Sequence, residues 1–92
     1  MISREVTIGS RIGLHGRPAA AVVDLAAGLP VPVHITMNGR TADARSIISV
    51  LALGARGGDV VTVHAEGDTA EGALDTVVAL LARDLDAEPG DV

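Results

Sequence analysis

The chain has 92 residues, which allows one compact domain, and its net charge of −5 argues against nucleic acid or an anionic membrane as the main partner. It contains no Cys, Trp, Tyr or Phe, which excludes disulfides, thiolate chemistry and base stacking on aromatic rings. It has neither an apolar run of about 18 residues nor a signal-peptide pattern, so we expect a cytoplasmic protein without membrane insertion.

A short strand and a helix are predicted at the start of the chain. Apolar residues alternate over residues 2–8 and stop at Gly9, which indicates a strand with one buried face. Residues 16–27 are rich in Ala and Val at helical spacing, and Gly28 follows as a C-cap. Pro18 suits the first turn of this helix, where a missing N–H is no loss.

A hairpin and a second helix are predicted in the middle of the chain. Residues 33–37 alternate between apolar and polar up to Asn38-Gly39, a strong signal for a two-residue turn. We therefore expect residues 40–43 to return as the partner strand. Ser46 is predicted as the N-cap and Gly54 as the C-cap of the short helix that follows.

The last strand and helix come from the remaining residues. Residues 60–65 alternate as a fourth strand, and the run 68–71 (Asp-Thr-Ala-Glu) resembles a capping box. Residues 86–92 are polar and are predicted to fray. We therefore expect a single domain over residues 1–88, followed by a polar tail over residues 89–92. One apolar stripe is predicted on the third helix: Leu74, Val77, Val78, Leu81 and Leu85.

The resulting order, β-α-β-β-α-β-α, suits an antiparallel sheet covered on one face by helices, a fold of the broad α/β class and of the α+β type. Many unrelated functions use this architecture. The function must therefore come from the residues of a site.

The most informative stretch is residues 13–20, Gly-Leu-His-Gly-Arg-Pro-Ala-Ala, which places His15 where a loop becomes a helix. The N–H groups and dipole of a helix start favour a phosphate. Gly16 lets its N–H approach an oxyanion, and Arg17 can add a charge-assisted hydrogen bond. The same dipole disfavours an imidazolium by about 0.3–1 kcal/mol, which suits a nucleophilic phosphoryl acceptor. From the residues alone, this phosphoryl-acceptor interpretation and a structural one are about equally plausible. In the structural interpretation, His15 only caps the helix and Arg17 is a solvated surface charge.

Residues 13–20, together with Arg-Ser-Ile-Ile-Ser-Val-Leu-Ala-Leu-Gly at 45–54, closely resemble the HPr family of the phosphoenolpyruvate-dependent sugar phosphotransferase system. The resemblance covers essentially the whole chain. It implies an open-faced sandwich with a four-stranded antiparallel sheet under three helices. It also implies a phosphoryl group carried on Nδ1 of His15, received from phosphorylated Enzyme I and passed to EIIA domains of sugar permeases, with Arg17 beside the phosphate. Such a protein is a monomeric carrier rather than an enzyme, and needs no cofactor.

Two further parts of the family pattern are present. Ser46 matches the regulatory serine, which an HPr kinase/phosphorylase modifies in some lineages and which a transcriptional regulator can then recognise. Ile47, Ile48 and Leu51 match the patch that docks Enzyme I and EIIA domains. Because so short a helix can turn only part of its surface to the core, we expect Ile48 and Leu51 to be exposed and leave Ile47 open between surface and core, although all three side chains could also be core residues.

Four positions depart from the family pattern. Gly16 stands where a residue with a side chain is usual, and it is predicted to loosen the helix start by up to about 1 kcal/mol relative to Ala. Ile12 replaces a small polar residue, which affects a possible phosphate contact. Asp24 and Ala27 replace basic residues of some relatives, which affects regulatory partners that recognise a basic helix face.

The other candidate residues predict structure rather than chemistry. His34 and His64 are out of step with their apolar neighbours and should face solvent on the sheet, and no carboxylate is spaced to complete a metal site. Glu66 and Asp68 are explained by capping. Two alternatives to a sugar phosphocarrier stay open: a related carrier for nitrogen-linked regulation or a dihydroxyacetone kinase, and a non-catalytic module that binds an anion at the same helix start.

Overall fold

The computed structural model describes residues 1–85, so the predicted tail (86–92, with 89–92 beyond the predicted domain boundary) lies outside the described residues. No helix within this range is long and apolar enough to cross a membrane. Seven elements occur in the predicted order: β1 (Ile2–Thr7), α1 (Gly16–Ala27), β2 (His34–Met37), β3 (Arg40–Asp43), α2 (Ile47–Ala52), β4 (Val60–Ala65) and α3 (Ala70–Ala82).

The four strands form one antiparallel sheet in the order β1-β4-β2-β3. Along β4, Val61 and Val63 are buried, whereas Thr62 and His64 lie on the other face and are half-buried. This alternation gives the sheet one core face and one open face. The helices cover the core face, which confirms the predicted open-faced sandwich of the α+β type.

The β2–β3 hairpin closes through the predicted two-residue turn. Asn38 and Gly39 have φ values of 51° and 80°. Positive φ at both central residues is the geometry of a type I′ turn, whose twist matches that of the flanking strands. Thr36 and Thr41 face each other behind the turn, with their hydroxyl oxygens 2.9 Å apart in a hydrogen bond.

The core is entirely aliphatic, as the composition requires. α1 begins at Gly16 and ends at Ala27, as predicted, and the Gly28 N–H donates to the Leu25 carbonyl at its C-terminus. Ile8, Leu14 and Ile35 are among the largest fully buried side chains. Helices α1 and α3 contribute small and branched residues to the same core: Ala19, Val22, Ala26, Ala73, Leu74, Val77 and Leu81.

Two predicted helix boundaries of the last segment are wrong. Thr69 is the N-cap of α3 and makes no side-chain cap hydrogen bond, so residues 68–71 form no capping box. The Ala70 N–H instead donates to the Gly67 carbonyl at 3.1 Å, which satisfies a helix-start donor without a side chain. α3 also ends at Ala82, so Leu85 lies beyond the helix and is buried from the following turn.

The short helix α2 follows the prediction at its start and differs by one residue at its end. Ser46 is the N-cap, and its Oγ accepts a hydrogen bond from the Ser49 N–H at 3.3 Å. The C-cap is Leu53 rather than Gly54. Gly54, with φ 67°, takes the left-handed conformation one residue later, where a glycine commonly terminates a helix.

Asp43 is held by Arg45 at the turn that leads from β3 to Ser46. Its Oδ1 accepts hydrogen bonds from the Arg45 backbone N–H at 2.9 Å and from Nε at 3.1 Å, and its Oδ2 accepts one from Nη2 at 2.9 Å. Hydrogen bonds from the Arg45 side chain, followed by that from its backbone, lower the pKa of Asp43 to about 2. The ionised carboxylate therefore stabilises the folded chain above the unfolded pKa of about 3.9.

This lowered pKa predicts an acid dependence of stability. As the pH falls from about 4 towards 2, protonation of Asp43 removes its stabilising contribution. Urea unfolding at a series of pH values should therefore show the parent losing stability relative to Asp43→Asn over this interval, because the amide cannot titrate. A carboxyl titration of Asp43 by NMR with its midpoint near 4 would contradict the assignment.

Candidate functional site

The loop before His15 is clamped against the segment that follows α2. The Leu14 N–H donates to the Ala55 carbonyl at 2.9 Å. Gly13 has φ 78°, and a Cβ at this position would lie 2.1 Å from the same carbonyl oxygen. Because real Cβ atoms do not approach backbone that closely, only glycine allows this contact. The contact sets the direction in which the chain enters α1.

The other end of the same loop is tied to the end of α3. The Gly9 N–H donates to the Leu81 carbonyl at 2.9 Å. Ser10 is buried. Its Oγ donates a hydrogen bond to the Arg83 carbonyl at 3.3 Å and accepts one from the Leu85 N–H at 3.2 Å. Residues 9–14 are therefore held from both sides, and His15 follows directly from this fixed support.

His15 is the N-cap of α1, with extended backbone angles of φ −130° and ψ 158°. Its side chain is exposed and makes no cap hydrogen bond, so the imidazole does not cap the helix start. The first turn of α1 contains no acidic residue, and Pro18 within it has no N–H. The N–H groups of His15, Gly16 and Arg17 have no acceptor within the helix and are available to an anion.

Gly16 corrects one expectation from the sequence. Its φ is 50°, in the left-handed region, and no heavy atom lies within 4 Å of the position a Cβ would occupy. A residue with a side chain would fit sterically, but the left-handed backbone conformation would cost it roughly 1–2 kcal/mol. Gly16 therefore stabilises this helix start relative to Ala, rather than loosening it.

We expect Gly16→Ala to lower the free energy of unfolding by about 1 kcal/mol, since the backbone penalty exceeds the entropic gain of removing a glycine. Gly72→Ala is the matched control, because Gly72 lies inside α3 without positive φ and with open space around it. That change should stabilise the protein by up to about 1 kcal/mol. Urea unfolding of both variants checks the opposite signs, and stabilisation by Gly16→Ala would contradict the left-handed geometry.

Arg17 is exposed and has no hydrogen-bond or ion-pair partner among residues 1–85. Its guanidinium is therefore free to pair with an anion at the start of α1. Arg11, in the supporting loop, instead pairs with Asp84 at 3.2 Å. The candidate anion site thus combines uncommitted backbone donors, a free cation and the exposed imidazole of His15.

The helix α2 presents an apolar surface, which we call the α2 patch: Ile47, Ile48 and Leu51. Their exposed fractions are 40%, 78% and 38%. The predicted exposure of Ile48 and Leu51 is therefore correct, and Ile47, which the sequence left open between surface and core, is exposed as well. The hydrogen bond from Leu14 to Ala55 ties the His15 loop to the segment that follows this helix.

Ile12 is a further exposed apolar residue of the His15 loop, 55% accessible. The sequence marked it only as a departure from the phosphate-contacting residue of the family. A single apolar residue in a loop has no periodicity, so no pattern could have placed it at the surface.

His34 and His64 belong to a different region. They lie half-buried on the open face of the sheet, as the alternation predicted, and not beside His15. No group of three or more His, Cys, Asp or Glu side chains able to hold a metal ion occurs within residues 1–85. Glu66 and Asp68 are exposed near the turn before α3.

Comparison with known proteins agrees with this geometry. Residues 2–83 match the family described as "PTS HPr component phosphorylation site". The chain is 38% identical to the phosphocarrier protein HPr of Cupriavidus necator, over 90% of this chain and 93% of that protein. It is also 38% identical to the phosphocarrier protein HPr of Streptomyces coelicolor over the whole of both chains.

A solved structure agrees equally well. The crystal structure of HPr from Thermoanaerobacter tengcongensis has a TM-score of 0.88, with 31% identity over 97% of this chain and 100% of that one. The match at the level of sequence and of fold spans the motif at His15 and the supporting sheet together. The chain therefore belongs to the HPr family of phosphocarrier proteins of the phosphotransferase system.

Proposed function

We propose that this protein accepts a phosphoryl group on His15 from phosphorylated Enzyme I and passes it to EIIA domains of sugar permeases. The observation that carries the proposal is the position of His15: an exposed imidazole at the N-cap of α1, uninvolved in capping and beside backbone N–H groups without acceptors among residues 1–85. An anion-binding module would need those N–H groups and Arg17 but no nucleophile. A nucleophile at this place favours a carrier.

The transfer proposed is a displacement at phosphorus. The lone pair of Nδ1 of His15 forms a bond to phosphorus as the bond from phosphorus to the donor atom of Enzyme I breaks, and that donor atom keeps the electron pair. The other ring nitrogen of His15 carries the proton throughout. The N–H groups at the helix start and the Arg17 guanidinium stabilise the equatorial oxygens, which bear the charge of the transition state.

Docking of both partners is assigned to the α2 patch, extended by Ile12. These side chains provide exposed apolar area on α2 and on the loop that precedes His15, which a partner surface can cover as it brings its own reacting group to His15. Asp24 and Ala27 are exposed on α1, so that helix offers no basic face at these positions. Recognition in this protein therefore relies on the α2 patch more than on charge along α1.

We extend the proposal to Ser46 as a regulatory phosphorylation site, which an HPr kinase/phosphorylase would modify. Ser46 caps α2 directly before Ile47 and Ile48. A phosphate there would meet the start of the helix favourably, so the fold should tolerate it. It would also place a charge beside the apolar area that a partner must cover.

Ser46→Asp should raise the apparent KM of this protein in the Enzyme I reaction by about tenfold, because burying an unpaired charge at the interface is costly. The maximal rate and the melting temperature should stay near those of the parent, since aspartate is also a good N-cap. Ile48→Glu, which perturbs the same patch from an exposed position, should raise KM in the same way. A reduced maximal rate with unchanged KM for Ser46→Asp would contradict docking as the cause.

The proposal is tested by incubating the protein with phosphoenolpyruvate and purified Enzyme I, followed by intact mass measurement. We expect a gain of one phosphate that is lost in acid, as a phosphoramidate requires. Retention of the parent mass would overturn the proposal and favour an anion-binding module. Subsequent transfer to EIIA domains, as opposed to a nitrogen-linked partner or a dihydroxyacetone kinase, distinguishes the sugar branch from the related carriers.

A further inference from the structure

The open face of the sheet carries a histidine pair that the phosphocarrier function does not use. His34 of β2 and His64 of β4 are directly opposite each other in the strand register. Their rings are stacked, with centroids 5.6 Å apart and an angle of 20° between the ring planes. Both rings line an open depression of about 440 Å³, together with Met1, Pro32, Thr41, Ala65 and Glu66.

The spacing of the two rings suits a shared metal ion. A tetrahedral ion bound about 2.0–2.1 Å from one nitrogen of each ring places the ring centroids about 5 Å apart. The observed 5.6 Å is close to that span, so the strands need not move. His34 lines an open depression, so its ring has room to turn about its side-chain torsions towards His64, whose own ring stays in place.

A hydrogen bond already orients one of the rings. Nε2 of His64 lies 3.0 Å from the Thr36 hydroxyl oxygen, which is also hydrogen-bonded to Thr41 at 2.9 Å. When Nε2 carries the proton and donates it to Thr36, Nδ1 keeps the lone pair that a metal needs. Metal-binding histidines almost always have such a partner on the other nitrogen.

We infer that His34 and His64 form a two-histidine site for a borderline transition-metal dication such as Zn²⁺, with water completing the coordination. Imidazole suits this class of ion. Because no three-residue ligand cluster occurs within residues 1–85, the site is open and exchangeable rather than structural. The carboxylate of Glu66 on the same depression adds negative charge that favours a cation.

A bound ion would join β2 and β4, the two central strands of the sheet, and so would stabilise the folded chain by mass action. This effect is independent of phosphoryl transfer, since the pair lies on the sheet face opposite the helices. The metal-site inference can therefore be tested separately from the role of His15.

The test is titration of the unphosphorylated full-length protein with Zn²⁺, followed by calorimetry, thermal unfolding and NMR of the histidine rings. We expect one equivalent of Zn²⁺ to bind, the melting temperature to rise, and the ring signals of His34 and His64 to shift while those of His15 stay. His34→Gln and His64→Gln should each weaken binding at least tenfold and remove the thermal shift. His15→Gln is the matched control and should bind like the parent.

Three results would overturn the inference: no binding at millimolar Zn²⁺, ring shifts confined to His15, or equal affinity of the parent and both sheet variants. The ring shifts are measured in the parent chain, so they decide the question even if a sheet variant were to fold poorly.

Discussion

His15→Gln is expected to fold like the parent and to accept no phosphoryl group from Enzyme I. The side chain is exposed and makes no cap hydrogen bond, so its replacement should change the free energy of unfolding by no more than about 0.5 kcal/mol. Glutamine has a comparable length and hydrogen-bonding capacity but no nucleophilic ring nitrogen. Intact mass after incubation with phosphoenolpyruvate and Enzyme I measures the loss.

The other two histidines provide the controls. His34→Gln and His64→Gln remove imidazoles from the open face of the sheet, where no helix start supplies uncommitted N–H groups. Both variants should be phosphorylated at the rate of the parent. Labelling of His15→Gln, or loss of labelling in either sheet variant, would refute the assignment of His15.

Arg17→Ala is expected to slow phosphoryl transfer by one to two orders of magnitude without abolishing it. The guanidinium is free of partners among residues 1–85 and lies in the first turn of α1, so it can bind a phosphate there without first breaking another contact. A charge-assisted hydrogen bond contributes about 1.5–3 kcal/mol, which corresponds to that range of rates. The backbone N–H groups remain and account for the residual transfer.

Rapid-quench measurement of transfer from Enzyme I and to an EIIA domain checks this expectation. Arg56→Ala is a suitable control, because Arg56 is also exposed, lies beside the clamped Gly13, and gives the same change in net charge. Rates of Arg17→Ala equal to the parent would make Arg17 a surface charge only. An equal loss of transfer rate in Arg56→Ala would show that the effect comes from the overall electrostatic field of the protein rather than from a local contact of Arg17.

The parts of the fold that could be predicted from the sequence are those governed by short-range rules. Asn38-Gly39 prefers positive φ at both residues and thereby determines the hairpin and its register. Ser46 offers an oxygen to the first turn of α2, and the alternation in β4 separates its two faces. The capping box at 68–71 was predicted by the same kind of rule and was wrong, because the backbone carbonyl of Gly67 supplies the bond that a side chain would have made.

The geometry around His15 depends on contacts that no local pattern contains. The requirement for glycine at position 13 arises from the carbonyl of Ala55, which lies forty-two residues further along the chain. The left-handed conformation of Gly16 reflects how the clamped loop enters α1. The contact between His34 and His64 needs the register of two strands that are not consecutive in the chain. The resemblance of the motifs identified His15, Arg17 and Ser46 from the sequence. The contacts around these residues could be seen only in the folded structure.

The most direct test of the central claim is NMR of the phosphorylated protein with ¹⁵N-labelled histidine. After reaction with phosphoenolpyruvate and Enzyme I, we expect coupling between ³¹P and Nδ1 of His15, with the ring signals of His34 and His64 unchanged from the unphosphorylated protein. Coupling of phosphorus to either sheet histidine, or a phosphate signal that is stable in acid and belongs to a hydroxyl group, would contradict the assignment of His15 as the phosphoryl carrier.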